Sequence, residues 1–351
     1  MILKEKHQDS DLPGILWPQD RKKSGPLREK DQELNILLDK LKSNVTKDLQ
    51  YLPHAPPYYP FGDIPTLSGK AAVTDLQRPG NALDKVWRGN KQGTIQVDDI
   101  PKFDDPYAER EWIKDHMAAA FRFWGKQGYG DGISGHITVR DPVLEGHYWM
   151  NPIAVHFSSI KASDCLRYPL IHIFLPYHTD KEIKSWFFIH SAIHKARPDV
   201  TAAAHCHPHY GKAWSVYGKL VDISTQDSCV LYDNVAVYEN FGGIVLAKEE
   251  GDNISRALGP RMMTCILQNH GLLTLGNTVD EAASLFVTLD RQCHVQLLTE
   301  AASANGLQKT VIKDTDAEAS AKHIQDPHVS YLEFQSEYKL MLEETNGDFL
   351  K

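Results

Sequence analysis

A mixed α/β sandwich is the fold class that this sequence predicts, on three observations. From residue 104 onward, short apolar runs of strand character are interleaved with stretches of helical spacing. The strand candidates at 136–139 and 148–150 sit as close together as the arms of a hairpin, which argues against a clean parallel strand–helix–strand repeat. The 351 residues are 42% hydrophobic and 24% charged, an ordinary balance for a soluble globular chain.

Residues 1–99 read differently from the rest. Charged and polar residues dominate, and Pro53-His54-Ala55-Pro56-Pro57-Tyr58-Tyr59-Pro60 fits neither helix nor central strand. Leu34, Ile36, Leu37, Leu38 and Leu41 predict one helix over 31–49. The remainder reads as tail and linker, and 100–351 as the folded domain. Pro56-Pro57-Tyr58-Tyr59 has the form of a WW-domain ligand; a loop wrapping the domain is the simpler account.

The folded region opens at Asp105-Pro106, an N-cap followed by proline at the first helical position. Trp112, Ile113, His116, Ala119, Ala120 and Phe123 continue the helix, and four glycines within 128–135 end it. His136-Ile137-Thr138-Val139 is a strand, Asp141-Pro142 a turn, and Tyr148-Trp149-Met150 a second strand. A short strand and turn is expected over 155–163. Residues 167–177 carry aromatics, two prolines and His172 without a clear period. A helix over 181–196 ends at Arg197-Pro198-Asp199. After it, Ala202-Ala203-Ala204-His205-Cys206-His207 reads as a short buried strand stopped by Pro208. A helix over 210–217 closes at Gly218, strands are expected at 220–223 and 235–237, and a helix over 249–258 stops at Gly259-Pro260. The run 263–267 is a buried strand leading into the turn Gln268-Asn269-His270-Gly271, with a further strand at 272–275. Thr278-Val279-Asp280-Glu281 is a capping box opening a long helix, with Leu285, Leu289, Cys293 and Leu297 on one face. Two closing helices are expected at 316–322 and 331–342.

The chemistry gathers on histidines. Strand side chains alternate faces, so His205 and His207 point the same way and Cys206 points opposite. Two imidazoles one residue apart either converge on a metal ion or serve as hydrogen-bonded core residues. His270, in a turn at a strand end, is the candidate third ligand, with Gly271 expected to let the backbone turn tightly. His209 is either a fourth ligand or a surface residue behind the Pro208 kink. His190 and His194, one helical turn apart, either orient ligands or pack the helix.

Charge and cysteine content narrow the class. A net charge of −8 gives no basic surface for nucleic acid, and no run of about 18 apolar residues is present to span a bilayer. The amino terminus lacks the apolar core of a signal peptide. Five scattered cysteines do not make a disulfide framework, so a reducing, cytoplasmic setting is expected.

Arg197-Pro198-Asp199-Val200, His205-Cys206-His207 and Asn269-His270-Gly271-Leu272-Leu273 together resemble the class II aldolase/adducin N-terminal family. Gly135-His136-Ile137-Thr138, Asn151-Pro152, His190-Ser191-Ala192-Ile193-His194-Lys195, Thr225-Gln226-Asp227 and Phe241-Gly242-Gly243 resemble its fungal branch. The resemblance runs from about residue 100 to the last residue. It implies a three-layer α/β/α sandwich with a mixed, largely antiparallel sheet. It also implies a divalent metal, usually Zn2+, on His205, His207 and His270. Homo-oligomers with the site near a subunit boundary are the family habit, and Tyr232 then reads as a proton donor to a neighbouring subunit or as a packed loop residue.

The chain departs from the family's aldolases at the proton-moving position. Their glutamate lies in a Ser-Ser-Glu string eleven residues before the Arg of Arg-Pro-Asp; here that position is Trp186, and Glu182 falls a helical turn earlier. His136 stands where they carry a phosphate-binding asparagine. His136 and Trp186 are therefore the expected substrate contacts. The segment 165–186 also departs from the family pattern, through divergence or through a misread gene segment. The reading that results is a metal-dependent lyase, cleaving an aldol or decarboxylating through a metal-bound enolate. Its substrate is a small oxygenated carbonyl compound other than a sugar phosphate. The alternative is an adducin-like, non-catalytic domain with a cytoskeletal partner. Redox chemistry at a three-histidine iron is a third reading.

Overall fold

Alternation along one short strand sets the layers. In β4 (Ala202–Cys206) every residue is buried. Ala202, Ala204 and Cys206 join one apolar core, while Ala203 joins another. The first core is filled by Met117, Phe121 and Trp124 of α1 (Pro106–Lys126) and by Phe286 and Leu289 of α5 (Val279–Ala304). The second is filled by Ile189 and Ile193 of α2 (Lys181–Ala196) and by Ile254 and Leu258 of α4 (Lys248–Leu258). Three alanines in a row keep β4 thin, so helices close on both of its faces. The result is the α/β/α sandwich. The computed structural model describes residues 99–169, 181–241 and 248–351, all within the compact unit Gln77–Lys351. The expected helix over 31–49 and the proline-rich stretch lie outside the described residues.

The sheet has seven strands in the order β3-β2-β1-β4-β7-β6-β5. The others are β1 (His136–Arg140), β2 (His147–Met150), β3 (Leu166–Pro169), β5 (Val235–Tyr238), β6 (Thr264–Leu267) and β7 (Gly271–Gly276). Each neighbouring pair is antiparallel except β5–β6, so the sheet is mixed and largely antiparallel. The remaining helices are α3 (His209–Ser215), α6 (Asp314–Ile324) and α7 (Pro327–Thr345). Among the described residues no helix is long and apolar enough to cross a membrane, and all five cysteines are free and buried.

Local chemistry fixes the helix starts. Asp105 accepts a hydrogen bond from the Tyr107 N–H at the head of α1, as its N-cap position requires. Thr278 Oγ1 accepts from the Glu281 N–H at 3.1 Å, and Glu281 reaches back to the Asn277 N–H at 2.6 Å. The box is therefore one residue wider than the sequence suggests.

Two expected strands are absent. Residues 155–163 form two 3-10 turns, Phe157–Ser159 and Ala162–Asp164. His156 caps the first through the Ser158 N–H, and Arg122 gathers the carbonyls of Ser158, Ser159 and Ile160. Residues 220–223 form no regular element and join no strand of the sheet. Gln296 of α5 accepts from the Asp222 N–H at 2.8 Å, and the Ile223 carbonyl accepts from the Ile312 N–H. Side chains and loops satisfy that backbone, so no ladder forms.

Candidate metal centre

The candidate site stands at the end of β4. His205 is paired across the sheet with His136 of β1 on one side and Leu273 of β7 on the other. His207 lies just past the strand, and Pro208 then serves as the N-cap residue of α3. His270 is carried by the tight β6–β7 turn, where its N–H bonds the Leu267 carbonyl at 3.0 Å. Asn269 takes the left-handed conformation of that turn, with φ of 57°. Gly271 does not: its φ is not positive, and the expectation of a glycine turn there is corrected. Its hydrogen is needed for close approach, because a Cβ would lie 2.5 Å from the Cys206 carbonyl oxygen and 3.0 Å from the His207 ring.

The three rings converge. One ligand nitrogen from each of His205, His207 and His270 falls within 4.8 Å of the others. The ring centroids are 4.7–5.0 Å apart. His205 Nδ1 lies 2.8 Å from the Leu272 carbonyl, which can only accept, so the proton is on Nδ1 and the lone pair on Nε2. That Nε2 stands 3.1 Å from His207 Nε2. Two such nitrogens must share a proton or a cation. Tetrahedral zinc at about 2.0–2.1 Å from each nitrogen places its ligands about 3.3 Å apart, close to this spacing. Burial keeps the imidazoles neutral: His205 is held well below the ordinary histidine range, His207 is lowered, and His270 is pushed down to about 4 by burial and by the His207 ring. The donor set of three neutral nitrogens therefore fits a divalent ion.

A column of further histidines lies behind His205 on the same face of the sheet. The His136 ring is 4.2 Å from the His190 ring and 5.3 Å from that of His205. Thr138, two residues along β1, places Oγ1 2.6 Å from His190 Nδ1 and 2.8 Å from His194 Nε2. Arg140 binds the His194 and Val200 carbonyls at the end of α2. Burial holds His136, His190 and His194 well below the ordinary range.

The other sequence candidates fall as follows. His136 is 1% exposed, packed beneath the three histidines and away from solvent. Trp186 belongs to α2, and its side chain is outside the described residues. Tyr232 ends the 3-10 turn Asp227–Leu231, with its carbonyl held by Gln325 at 2.7 Å; among the described residues no bond joins it to the three histidines. His209 is exposed at the start of α3. Cys206 faces the opposite core and donates to the Tyr129 carbonyl at 3.1 Å. Sequence reasoning missed Thr138, which shares a strand face with His136 at a spacing of two. It also missed the Lys212–Asp131 ion pair, 3.6 Å apart.

Comparison with known proteins agrees with this architecture. The chain is 38% identical over 262 residues to the Meiotically up-regulated gene 14 protein of Schizosaccharomyces pombe, covering 72% of this chain and 98% of that one. It is 40% identical over 204 residues to Decarboxylase NovR of Streptomyces niveus, covering 58% of this chain and 75% of that one. The solved structure of an L-fuculose 1-phosphate aldolase from Glaciozyma antarctica PI12 matches with a TM-score of 0.61 and 33% identity, over 72% of this chain and 97% of that one. The family model described as Class II Aldolase and Adducin N-terminal domain matches residues 115–297, so the chain belongs to the class II aldolase and adducin N-terminal family.

Proposed function

We propose that this protein is a metal-dependent lyase that breaks a carbon–carbon bond in a small oxygenated carbonyl compound, most simply by decarboxylating an oxo acid. The observation that carries this reading is the convergence of His205, His207 and His270 as neutral imidazoles, with His205 oriented by the Leu272 carbonyl. A divalent ion held there, zinc by preference, would polarise the substrate carbonyl and steady the negative charge that develops on its oxygen. His136 and Trp186 stay in the reading as the residues that shape the substrate space. Tyr232 belongs to it as a proton donor to a neighbouring copy's cleft, which requires self-association. Light scattering at micromolar concentration should then give a mass above that of one 39.6 kDa chain.

The residue at the family's proton-moving position decides between aldol cleavage and decarboxylation. A positioned general acid or base contributes about 10²–10⁴-fold. Trp186 cannot accept a proton in that role. Loss of carbon dioxide needs no base to break the bond: the carboxylate departs, and the bonding pair stays with the remaining fragment until a proton arrives. The names of the relatives support lyase chemistry without choosing a substrate: one is called a decarboxylase and one an L-fuculose 1-phosphate aldolase. The same loss of the glutamate favours a second reading, an adducin-like interaction domain without catalysis.

The test is a panel of 3-oxo acids and of fuculose- and rhamnulose-type sugar phosphates, run with wild type and His207→Ala beside elemental analysis. The expected outcome is one divalent ion per wild-type chain, turnover of an oxo acid, and loss of both in the variant. Wild-type turnover of the sugar phosphates at an enzymatic rate would overturn the substrate assignment. Absence of metal from the wild type would leave the interaction-domain reading.

A further inference from the structure

His207 lies outside the sheet. The β4–β7 ladder ends at the Cys206–Leu272 pair and the β1–β4 ladder at His136–His205, so no strand neighbour fixes the residue that carries this imidazole. It sits on the joint between β4 and α3. Pro208, the N-cap residue of α3, gives that helix no side-chain hydrogen bond, and its carbonyl accepts from the Lys212 N–H at 2.8 Å. A site residue has to be held within about 0.5 Å of its working position, so the joint needs an anchor from elsewhere in the fold.

Asp290 of α5 supplies that anchor from the opposite face of β4. Its side chain is buried, and both of its oxygens are used. Oδ1 accepts from the Gly211 N–H at 2.8 Å, in the first turn of α3. Oδ2 accepts from the Tyr129 hydroxyl at 3.0 Å. Tyr129 reaches the other side of the joint, where its carbonyl accepts from the Cys206 thiol at 3.1 Å. The Tyr129 ring is packed against Trp124 and Phe286, with centroids 5.9 and 5.6 Å away. One carboxylate therefore ties both the residue before His207 and the helix after it to α5. The fit leaves little slack. A Cβ on Gly211 would lie 2.5 Å from Leu272 Cδ1 and 2.9 Å from Pro208 Cγ, so α3 rests directly on Leu272. The Leu272 carbonyl is the group that orients His205, so a shift of α3 would reach two of the three histidines.

We propose that Asp290 is a positioning residue of the metal centre: by holding Gly211 and, through Tyr129, Cys206, it sets where His207 stands. The inference rests on the reading of the three histidines as a metal site and is independent of the substrate assigned above. Asp290 itself touches neither the ion nor the substrate; it acts through the backbone on either side of His207.

The experiment uses the full chain, freed of metal by chelator and titrated with cobalt(II), whose visible bands report the number and arrangement of its ligands. Wild type should take up one cobalt(II) per chain. Asp290→Leu keeps about the same volume and removes both acceptors. It should bind cobalt(II) about 10–100-fold more weakly, the usual loss when an outer partner of a ligand is removed, and with shifted bands. Asp290→Asn should restore affinity and bands, because its amide oxygen accepts from Gly211 and its NH2 donates to the Tyr129 oxygen. Tyr129→Phe frees only Oδ2 and should fall between, severalfold weaker than wild type. Met341→Ala opens a cavity on α7, an element that supplies none of these bonds. It should lose stability and keep wild-type affinity and bands. Asp290→Leu or Tyr129→Phe with the affinity and bands of wild type would overturn the assignment. So would Asp290→Asn as weak as Asp290→Leu, or Met341→Ala with the losses of Asp290→Leu. If Asp290→Leu does not fold, Tyr129→Phe decides alone. Wild type that takes up no cobalt(II) would remove the metal reading and this inference with it, whereas variants that bind as wild type does remove this inference alone.

Discussion

Thr138 has one hydroxyl proton and two imidazole neighbours. Its Oγ1 lies 2.6 Å from His190 Nδ1 and 2.8 Å from His194 Nε2. The hydroxyl donates to one ring and accepts from the other, so one of the two facing nitrogens carries a proton and the other does not. The tautomers of His190 and His194 are thereby coupled through one atom. Thr138→Val keeps the shape and removes the hydroxyl. Both facing nitrogens then lose their partner in a site where all three residues are buried. An unsatisfied buried polar group costs about 1–3 kcal/mol, so we expect about 2–5 kcal/mol of lost stability by urea unfolding. Thr138→Ser should recover most of it, and nitrogen-15 spectra of the histidine rings should show the tautomer pattern of wild type only in the serine variant. A valine variant as stable as wild type would mean that the two rings have other partners.

At the scale of the element, the β6–β7 hairpin places His270 by approaching β4 more closely than a side chain permits. A Cβ on Gly271 meets backbone, the Cys206 carbonyl oxygen at 2.5 Å, which cannot swing aside as the end of a long side chain would. Gly271→Ala should therefore push β7 off β4, cost about 1–3 kcal/mol as overpacking does, and lower metal content in elemental analysis. Unchanged metal content with full stability would show that the hairpin is free to shift. This close approach was not legible in the sequence, where Gly271 reads as a turn residue; the left-handed position belongs to Asn269. The strands themselves were legible. Alternation alone places His205 and His207 on one face and Cys206 on the other, and the structure divides them in that way. Strands at 155–163 and 220–223 were misread for one physical reason: their backbone groups are satisfied by His156, Arg122 and Gln296. His156 is local, but Arg122 and Gln296 are distant in sequence, and local apolar pattern carries no record of any of the three. Lys212 and Asp131 were missed likewise, because only the packing of loop against helix brings them together.

At the scale of the whole molecule, the sandwich encloses histidines that resist protonation, and this gives stability a definite dependence on pH. His136, His190, His194 and His205 are buried between the sheet and α2, and burial holds each well below the ordinary value of 6.5. An unfolded chain titrates these rings near 6.5. Above that pH both states are neutral and the histidines contribute no difference. Below it the unfolded state binds protons that the folded state refuses, so stability falls as pH falls, and keeps falling down to the folded values. Each ring contributes about 1.4 kcal/mol per pH unit once the unfolded ring is fully protonated. Glu281 and Asp290, pushed up by burial, act in the opposite sense. Over the window from pH 6.5 to 5 it is therefore the comparison with a single-histidine variant that isolates one ring's share. The measurement is urea unfolding of chelator-treated protein across that window, beside His194→Gln, which keeps a hydrogen-bonding side chain and does not titrate. Wild type should lose stability steeply, and the variant should show a slope shallower by about one histidine's share. A wild-type stability that is flat or rising between pH 6.5 and 5 would mean that the column takes up protons in the folded state, and that these rings are more open to water than the sandwich makes them.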